Sequence, residues 1–430
     1  MIIWKAYDER TAYMSIDKAT ANEMRKDKMI WKFCLYGFLK NLRFFEPYLV
    51  IFLLSLELDL FSIGILYAVR EAVTYIFEVP SGIIADTYGK KKELMACFVF
   101  YIISFGLFFS GRNFAVLTLA MVFFGLGEAF RSGTHKAMIY TYLERRGWFV
   151  HKTYVYGRTR SFSLLGSAVS AFLSVALILN VPAMRWIFLF SVLPYLLDFF
   201  LISTYPSYLD ERKESEISLS AFYNGSLDRL KSIFGNRALR KILVSSSLFD
   251  GIFKSIKDYI QPILEVILLG GLVLGLSEEG GADTLKVYLG VTYGVFYIFS
   301  ALASRNVYRL KKFASSKRLM DVFFDIMGMG ALVASFAIWT EQKFLAIAVF
   351  FLLYILKDAR RPLFVDVSGD LMKKTERATA LSVDSQLKSV FMIVLAPLFG
   401  FIADRFSMEI LFAAMGIASI LANRYFHSEN

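Results

Sequence analysis

Residues 78–94 read EVPSGIIADTYGKKKEL, and the order of residue types in this stretch decides the fold. Two apolar windows, 61–84 and 93–112, meet in it. Each is about the 20 residues that an α-helix needs to cross a hydrocarbon core of about 30 Å. At the junction stand Gly82, Asp86, Gly89, Lys90 and Lys91. Gly82 permits close approach of a neighbouring helix, and Gly89 permits a tight turn. Asp86 can accept hydrogen bonds from a neighbouring helix end. The lysines suit a surface of anionic lipid headgroups. The stretch reads as a short basic turn between two membrane helices.

The pattern recurs on both sides of it. The chain has 430 residues, 57% hydrophobic and 17% aromatic, with a mean hydropathy of +0.52. A water-soluble fold would have to expose much of that apolar surface. Apolar windows fall at 29–56, 61–84, 93–112, 114–140, 155–179 and 184–204. After a polar stretch they resume at 241–270, 284–304, 319–340, 343–367, 378–402 and 406–424. The expectation is an all-α membrane protein of twelve transmembrane helices.

Alternate links differ in charge. One side receives Arg25, Lys26 and Lys28, then Lys90, Lys91 and Lys92, then Arg145, Arg146 and Lys152. Arg309, Lys311, Lys312, Lys317, Arg318, Lys373 and Lys374 join them. The other side carries Glu57, Asp59, Glu278, Glu279 and Asp283, with isolated Arg112 and Arg185. The positive-inside rule puts the basic side and both termini in the cytoplasm, with the protein multi-pass in the inner (plasma) membrane. The net charge of +11 is therefore read as orientation, and no nucleic acid is expected as a partner. Residues 1–28 are too polar for a cleavable signal peptide and read as a cytoplasmic lead-in. Cys34 and Cys97 fall inside apolar windows, which argues against a disulfide. His135, His151 and His427 show no metal-site spacing, so neither metal nor cofactor is expected.

The polar stretch 206–240 divides the spans into halves at 29–205 and 241–430. Within it, Leu227, Leu230, Ile233 and Phe234 share one helical face, which suits an amphipathic helix on the membrane surface. A repeat supports the division. LGEAFRSGTHKAMIYTYLERR from Leu126 aligns without gaps on LKDARRPLFVDVSGDLMKKTE from Leu356. Glu128 meets Asp358, Ala129 meets Ala359 and Arg131 meets Arg361, in the fourth and tenth spans.

The core Gly82-x-x-x-Asp86-x-x-Gly89-Lys90-Lys91 resembles the signature between helices two and three of the major facilitator superfamily. With the twelve spans, the central break and the repeat, the resemblance extends over the chain from about residue 29. It implies the two-bundle transporter fold of that family, with Gly82, Asp86, Gly89 and Lys90 as a cytoplasmic gate. Thr87 replaces the basic residue usual after the aspartate. Gly125, Gly127 and Ala129 fit only the tail of the helix-four signature of proton-coupled members. Residues 161–173 lack the proline of the helix-five signature of drug/proton antiporters. A similar run, GFIADRF at 400–406, is read as a helix-packing turn and not as another gate.

In the family the first, fourth, seventh and tenth helices line the cavity, and here each is interrupted by charge. Lys40, Arg43 and Glu46 are spaced to share one side of a helix, as are Glu128, Arg131 and His135. Asp250, Lys254, Lys257 and Asp258 form a third stripe, and Lys357, Asp358, Arg360, Arg361 and Asp366 stand in the tenth span. An ionised side chain facing lipid at mid-span costs roughly 2.5–3.5 kcal/mol, so three in the first span would oppose insertion by about 8–10 kcal/mol. These residues must face water, one another or a ligand. Arg43 with Glu46, Glu128 with Arg131 and Asp358 with Arg361 are candidate pairs within a helix. Structural ion pairing is the competing explanation for each residue singly. Glu71 and Glu78 subtract from the cationic surplus of these spans, while Arg158 and Arg160 add to it.

The function expected is secondary active transport, by alternating access, of a small anionic or zwitterionic solute. Glu46, Glu128 and Asp358 are the candidates for proton coupling as a symporter or antiporter. No nucleotide-binding loop and no distinctive catalytic set is found, so an enzyme is not expected. A monomer is. The alternatives are a lipid or lysolipid flippase, a multidrug efflux carrier, and a membrane sensor of the same fold without flux. A flippase would need a charged headgroup patch beside an apolar groove open to the bilayer.

Overall fold

In the computed structural model, residues 18–210, 235–269, 279–371 and 377–428 are described. The amphipathic face expected at Leu227–Phe234, together with Lys373, Lys374 and Glu278, lies outside them. The described residues form α1 (Lys18–Lys26), α2 (Lys28–Leu39), α3 (Leu49–Leu54), α4 (Leu60–Tyr88), α5 (Lys90–Ser110), α6 (Phe114–Arg131), α7 (Thr134–Arg145), α8 (Lys152–Leu179) and α9 (Trp186–Ser203). There follow α10 (Arg237–Ile256), α11 (Ile260–Leu269), α12 (Glu279–Asn306), α13 (Ser316–Trp339), α14 (Lys343–Leu371), α15 (Arg377–Arg405) and α16 (Met408–Ser428).

Nine helices among the described residues are long and apolar enough to cross a membrane: α4, α5, α6 with α7, α8, α9, α12, α13, α15 and α16. Three further expected spans depart from that standard for physical reasons. The first is split into α2 and α3, the seventh into α10 and α11, and the tenth, α14, carries Lys357, Asp358, Arg360 and Arg361.

The two splits have one cause. Each lies just before a proline, Pro47 or Pro262. Proline has no N–H to donate, and its ring clashes with the carbonyl four residues back. Gln261 repairs the first break from the second. Its side-chain oxygen accepts from Val50 N at 2.8 Å and Ile51 N at 3.3 Å, and its amide donates to the Glu46 carbonyl at 3.1 Å.

The N-terminal helices α2–α9 meet the C-terminal helices α10–α16 chiefly along two antiparallel pairs, α4 with α15 and α8 with α12. One end of the assembly, here called the basic end, gathers the lysine and arginine turns. Gly89 adopts φ 107° there, and a Cβ on it would collide with the Asp210 carboxylate. That carboxylate accepts from Lys91 N at 2.8 Å. Lys91 Nζ donates to Ser203 O at 2.5 Å and Tyr205 O at 3.0 Å. Lys91 thus caps the last carbonyl of α9 and that of Tyr205 just beyond it. Gly82 departs from expectation, because among the described residues no atom of another helix lies within 4 Å of where its Cβ would stand.

The opposite, far end is closed. Gly400 lies against the backbone of Leu60 and Phe61, and Gly64 against Ala396 and Pro397. Asp404 accepts hydrogen bonds from Leu60 N at 3.2 Å and Phe61 N at 2.6 Å, so it caps the N-terminus of α4 from α15. Residues 400–405, expected from sequence as a turn, are the last turns of α15 and join the two sets of helices. Tyr48 donates to Lys286 O at 3.0 Å on the same side.

Candidate functional site

Between the two sets of helices, on the basic side of that closure, lies a cavity of about 430 Å³. Five cationic side chains, Arg43, Arg70, Arg131, Lys254 and Lys257, line it with four anionic ones, Glu46, Glu71, Glu78 and Glu128. So dense a mixture survives at membrane depth only because the charges satisfy one another.

The pairing is tertiary. Arg43 and Glu46 do not pair within a helix, because the break before Pro47 removes the helical register they would need. Arg43 donates to Glu128 at 2.6 Å and to the Tyr195 hydroxyl at 2.8 Å. Glu128 also accepts from Arg131, whose Nε reaches the Tyr101 hydroxyl at 3.3 Å. One carboxylate thus holds two guanidinium groups from α6 and the α2–α3 break. Glu46 pairs with Lys257 at 3.3 Å, from the α10–α11 break. Lys257 also meets Asp258 at 2.8 Å. Asp258 is buried beneath the cavity floor and accepts from Tyr293 at 2.8 Å and Tyr67 at 3.3 Å. Glu71 is shared by Arg70 at 3.3 Å and Lys254 at 3.6 Å, and accepts from Ser389 at 3.2 Å. Two of these pairs, Glu46–Lys257 and Glu71–Lys254, cross between the N-terminal and C-terminal helices.

The other expected site residues fall elsewhere. Gly133, with φ 77°, ends α6 and turns the chain into α7, so His135 leaves the face of Glu128 and Arg131. Its ring stacks on Tyr36 with centroids 3.7 Å apart, and its Nε2 lies 3.2 Å from the Tyr205 hydroxyl. Lys40 lines a side pocket with His135. Asp250 and Lys254 share a face of α10, but Lys257 and Asp258 stand in the break beyond it. Asp250 pairs with Lys388 of α15 at 2.5 Å.

On α14 the repeat partners of Glu128 and Arg131 behave differently. Asp358 meets Lys357 at 3.0 Å, while Arg361 reaches Asp384 at 2.6 Å. Arg361 does not find Asp358, because Asp384 of α15 offers it a carboxylate already hydrogen-bonded by Ser247 and Lys388. Neither Asp358 nor Arg361 lines the cavity. Arg360 is buried between Ser245, Ser246 and the Phe249 ring, 4.4 Å from its centroid.

Sequence reasoning missed Arg70, Asp384 and Lys388. Each had a signal: Arg70 beside Glu71 in the second span, and Asp384 four residues before Lys388 in the eleventh. Phe44, Phe45 and Tyr48 are buried in the core, with Phe45 stacked on Phe188 at 5.3 Å.

A bundle of membrane-length helices around a charged cavity closed at one end is the architecture of a membrane transporter. Residues 33–356 match the family model of the Major Facilitator Superfamily, and the chain belongs to that superfamily. It is 25% identical over 378 residues to an uncharacterized MFS-type transporter, YxaM, of Bacillus subtilis (strain 168), covering 87% of this chain and 88% of that protein. The fold is similar to that of the nucleoside transporter NupG, with a TM-score of 0.73 at 12% identity over 94% of this chain and 99% of that one. It is also similar to a POT family transporter in complex with a thioalcohol-conjugated peptide, with a TM-score of 0.72 at 12% identity over 93% and 96% of the two chains. The protein is a multi-pass membrane transporter of this superfamily.

Proposed function

We propose that the chain carries a small anionic or zwitterionic solute by alternating access, with the helices at 29–205 and 241–430 rocking as two halves about the charged cavity. In this reading there are twelve spans, the basic end and both termini are cytoplasmic, and the membrane is the inner (plasma) membrane. A cavity on the basic side of a sealed far end then belongs to a cytoplasm-open conformation. The observation that carries the proposal is the cavity itself. Its lining comes from both sets of helices, and its cations outnumber its anions by one.

The cross-pairs give the motion a handle. Rocking toward the opposite state must separate Glu46 from Lys257 and Glu71 from Lys254, and a charged solute offers the exposed groups replacement partners. Protonation of Glu46 would release Lys257 in the same way, which makes Glu46 the carboxylate best placed for proton coupling. Glu128 serves the cavity as the anchor of Arg43 and Arg131, and Asp358 acts outside it. Gly82, Asp86, Gly89 and Lys90 would close the cytoplasmic side when α4 meets α15 there.

The test is solute flux into proteoliposomes. Arg131→Gln is expected to lower flux on the order of 100-fold, since it removes a charge-assisted bond at the cavity wall. Arg361→Gln, half-exposed beside Asp384, is expected to cost less. Unchanged flux and affinity in Arg131→Gln would remove the cavity from the mechanism. Liposomes that bind solute without moving it would favour a sensor.

A further inference from the structure

Beside the central cavity lies a smaller pocket of about 210 Å³, enclosed by α2, α7, α8 and the start of the α2–α3 break. Lys40, Arg131, Lys136 and Arg160 line it together with His135, and none of its lining residues is acidic. Arg131 is held by Glu128 from outside the pocket. Among the described residues, Lys40, Lys136 and Arg160 have no carboxylate within ion-pair distance. Lys40 stands over the Tyr36 ring at 5.6 Å, and Lys136 over Tyr140 and Tyr156 at 5.5 and 5.3 Å. The Tyr36 hydroxyl is buried and has no hydrogen-bond partner. Like charges gathered in a medium of low dielectric repel one another strongly, so the pocket as built calls for an anion. A water molecule occupies about 30 Å³ of liquid, which leaves room here for a phosphate or carboxylate and part of its hydration.

A second space adjoins it. A cleft of about 750 Å³ runs between α8 and α12, walled by Leu164, Leu165 and Ala168 on one side and by Ile298, Ala301 and Leu302 on the other. Leu165, Ile298 and Leu302 remain exposed along it. Tyr156 and Arg160 line both the cleft and the basic pocket. The one acidic residue of the cleft, Asp358, is already paired with Lys357. Bilayer chains could fill an apolar cleft on any membrane protein. An apolar cleft that ends on an arginine shared with an acid-free pocket selects for an anionic head.

We infer that the two spaces together bind a single-chain anionic amphiphile, its phosphate or carboxylate head held by Lys40, Lys136 and Arg160 and its chain lying in the α8–α12 cleft. The inference rests on the transport reading above and narrows its solute to an amphiphile. The head reaches the central cavity past Arg131 and Gly133, which line both.

The full chain in phosphatidylcholine nanodiscs, titrated with labelled dodecyl phosphate, tests this. Dodecyl phosphate is expected to bind saturably. Lys40→Gln with Arg160→Gln should weaken binding at least tenfold, about the loss of one charge-assisted hydrogen bond. Lys40→Arg with Arg160→Lys should keep binding within about threefold, which separates lost charge from misfolding. Ala301→Phe, which narrows the cleft, should weaken dodecyl phosphate binding and leave any weak inorganic phosphate binding unchanged. Arg185→Gln, far from both spaces, serves as the control. Equal affinity in wild type and the Gln double variant would overturn the inference, as would equal competition by dodecyltrimethylammonium. Competition by inorganic phosphate as strong as that by dodecyl phosphate would overturn the amphiphile and leave a free-anion pocket. Should the double variant bind normally while Arg131→Gln still stops flux, the inference falls and the transport reading stands. Normal loss of binding with no flux of any solute would overturn the transport reading instead.

Discussion

At the far end of the α4–α15 pair, Gly400 lets α15 lie on the backbone of Leu60, and four residues later Asp404 caps the first turn of α4. At the basic end of the same pair, Gly82 stands four residues before Asp86 near the C-terminus of α4. There, among the described residues, a Cβ on Gly82 would meet no other helix within 4 Å. The two ends carry the same glycine-x-x-x-aspartate spacing on antiparallel neighbours. A small residue allows approach, and the carboxylate answers the unpaired N–H groups and positive dipole of the facing helix end. What differs is the packing around the glycine. In the rocking motion proposed above, two stiff helices would close one end only by opening the other, and the close packing at Gly400 and the open space at Gly82 would be two sides of one state.

The largest way to break the comparison is at the middle, where the halves are tied. Lys257→Gln strands Asp258, which is only 6% exposed, and releases Glu46. Removing one partner of such a network costs roughly 3 kcal/mol. Thermal unfolding in detergent should show it as a clear fall in midpoint, with flux lost as well. A midpoint equal to wild type would mean that Tyr67 and Tyr293 suffice for Asp258.

Gly400→Leu attacks the far end directly. Its side chain cannot occupy the place of the Leu60 backbone, and overpacking of this kind costs about 1–3 kcal/mol. Spin labels at Ser62 and Ser407 should move apart in pulsed-resonance distance measurements. If the distance distribution did not change, close packing at Gly400 would not be what holds this end.

Asp404→Asn is gentler. It keeps the size of the cap but removes its charge, which should cost about 1 kcal/mol and shift the balance between the two conformations about fivefold. The same labels would read a minor second population. Gly82→Leu should be the mildest for the conformation described, within about 0.5 kcal/mol, because space is open there. Its effect should fall on transport, since the basic end could no longer close around the larger side chain. Normal flux in Gly82→Leu would show that the basic end never closes through this contact.

Much of the fold was legible. Apolar windows of membrane length, basic turns and the signature at residues 82–91 point to the family without any interhelical distance. The site was legible in its residue types and not in its pairings. Arg43 and Glu46 read as a helical pair because spacing alone assumes a continuous helix, and Pro47 interrupts it. Of the two pairs that the sequence alignment set side by side, Glu128–Arg131 forms and Asp358–Arg361 does not. The other is drawn apart by Lys357, the neighbour of Asp358 on α14, and by Asp384 of α15, a residue that no spacing rule on α14 could weigh.

By itself the sequence determined that this chain must live in a membrane and that its intramembrane charges must be sheltered. Those conclusions follow from the transfer free energies of single side chains and the period of one helix. Only the tertiary structure decided which carboxylate shelters which cation, which end of the α4–α15 pair is closed, and that an acid-free basic pocket opens onto an apolar cleft. Each of these depends on distances between helices far apart in the chain, and residue spacing within one helix carries no information about them.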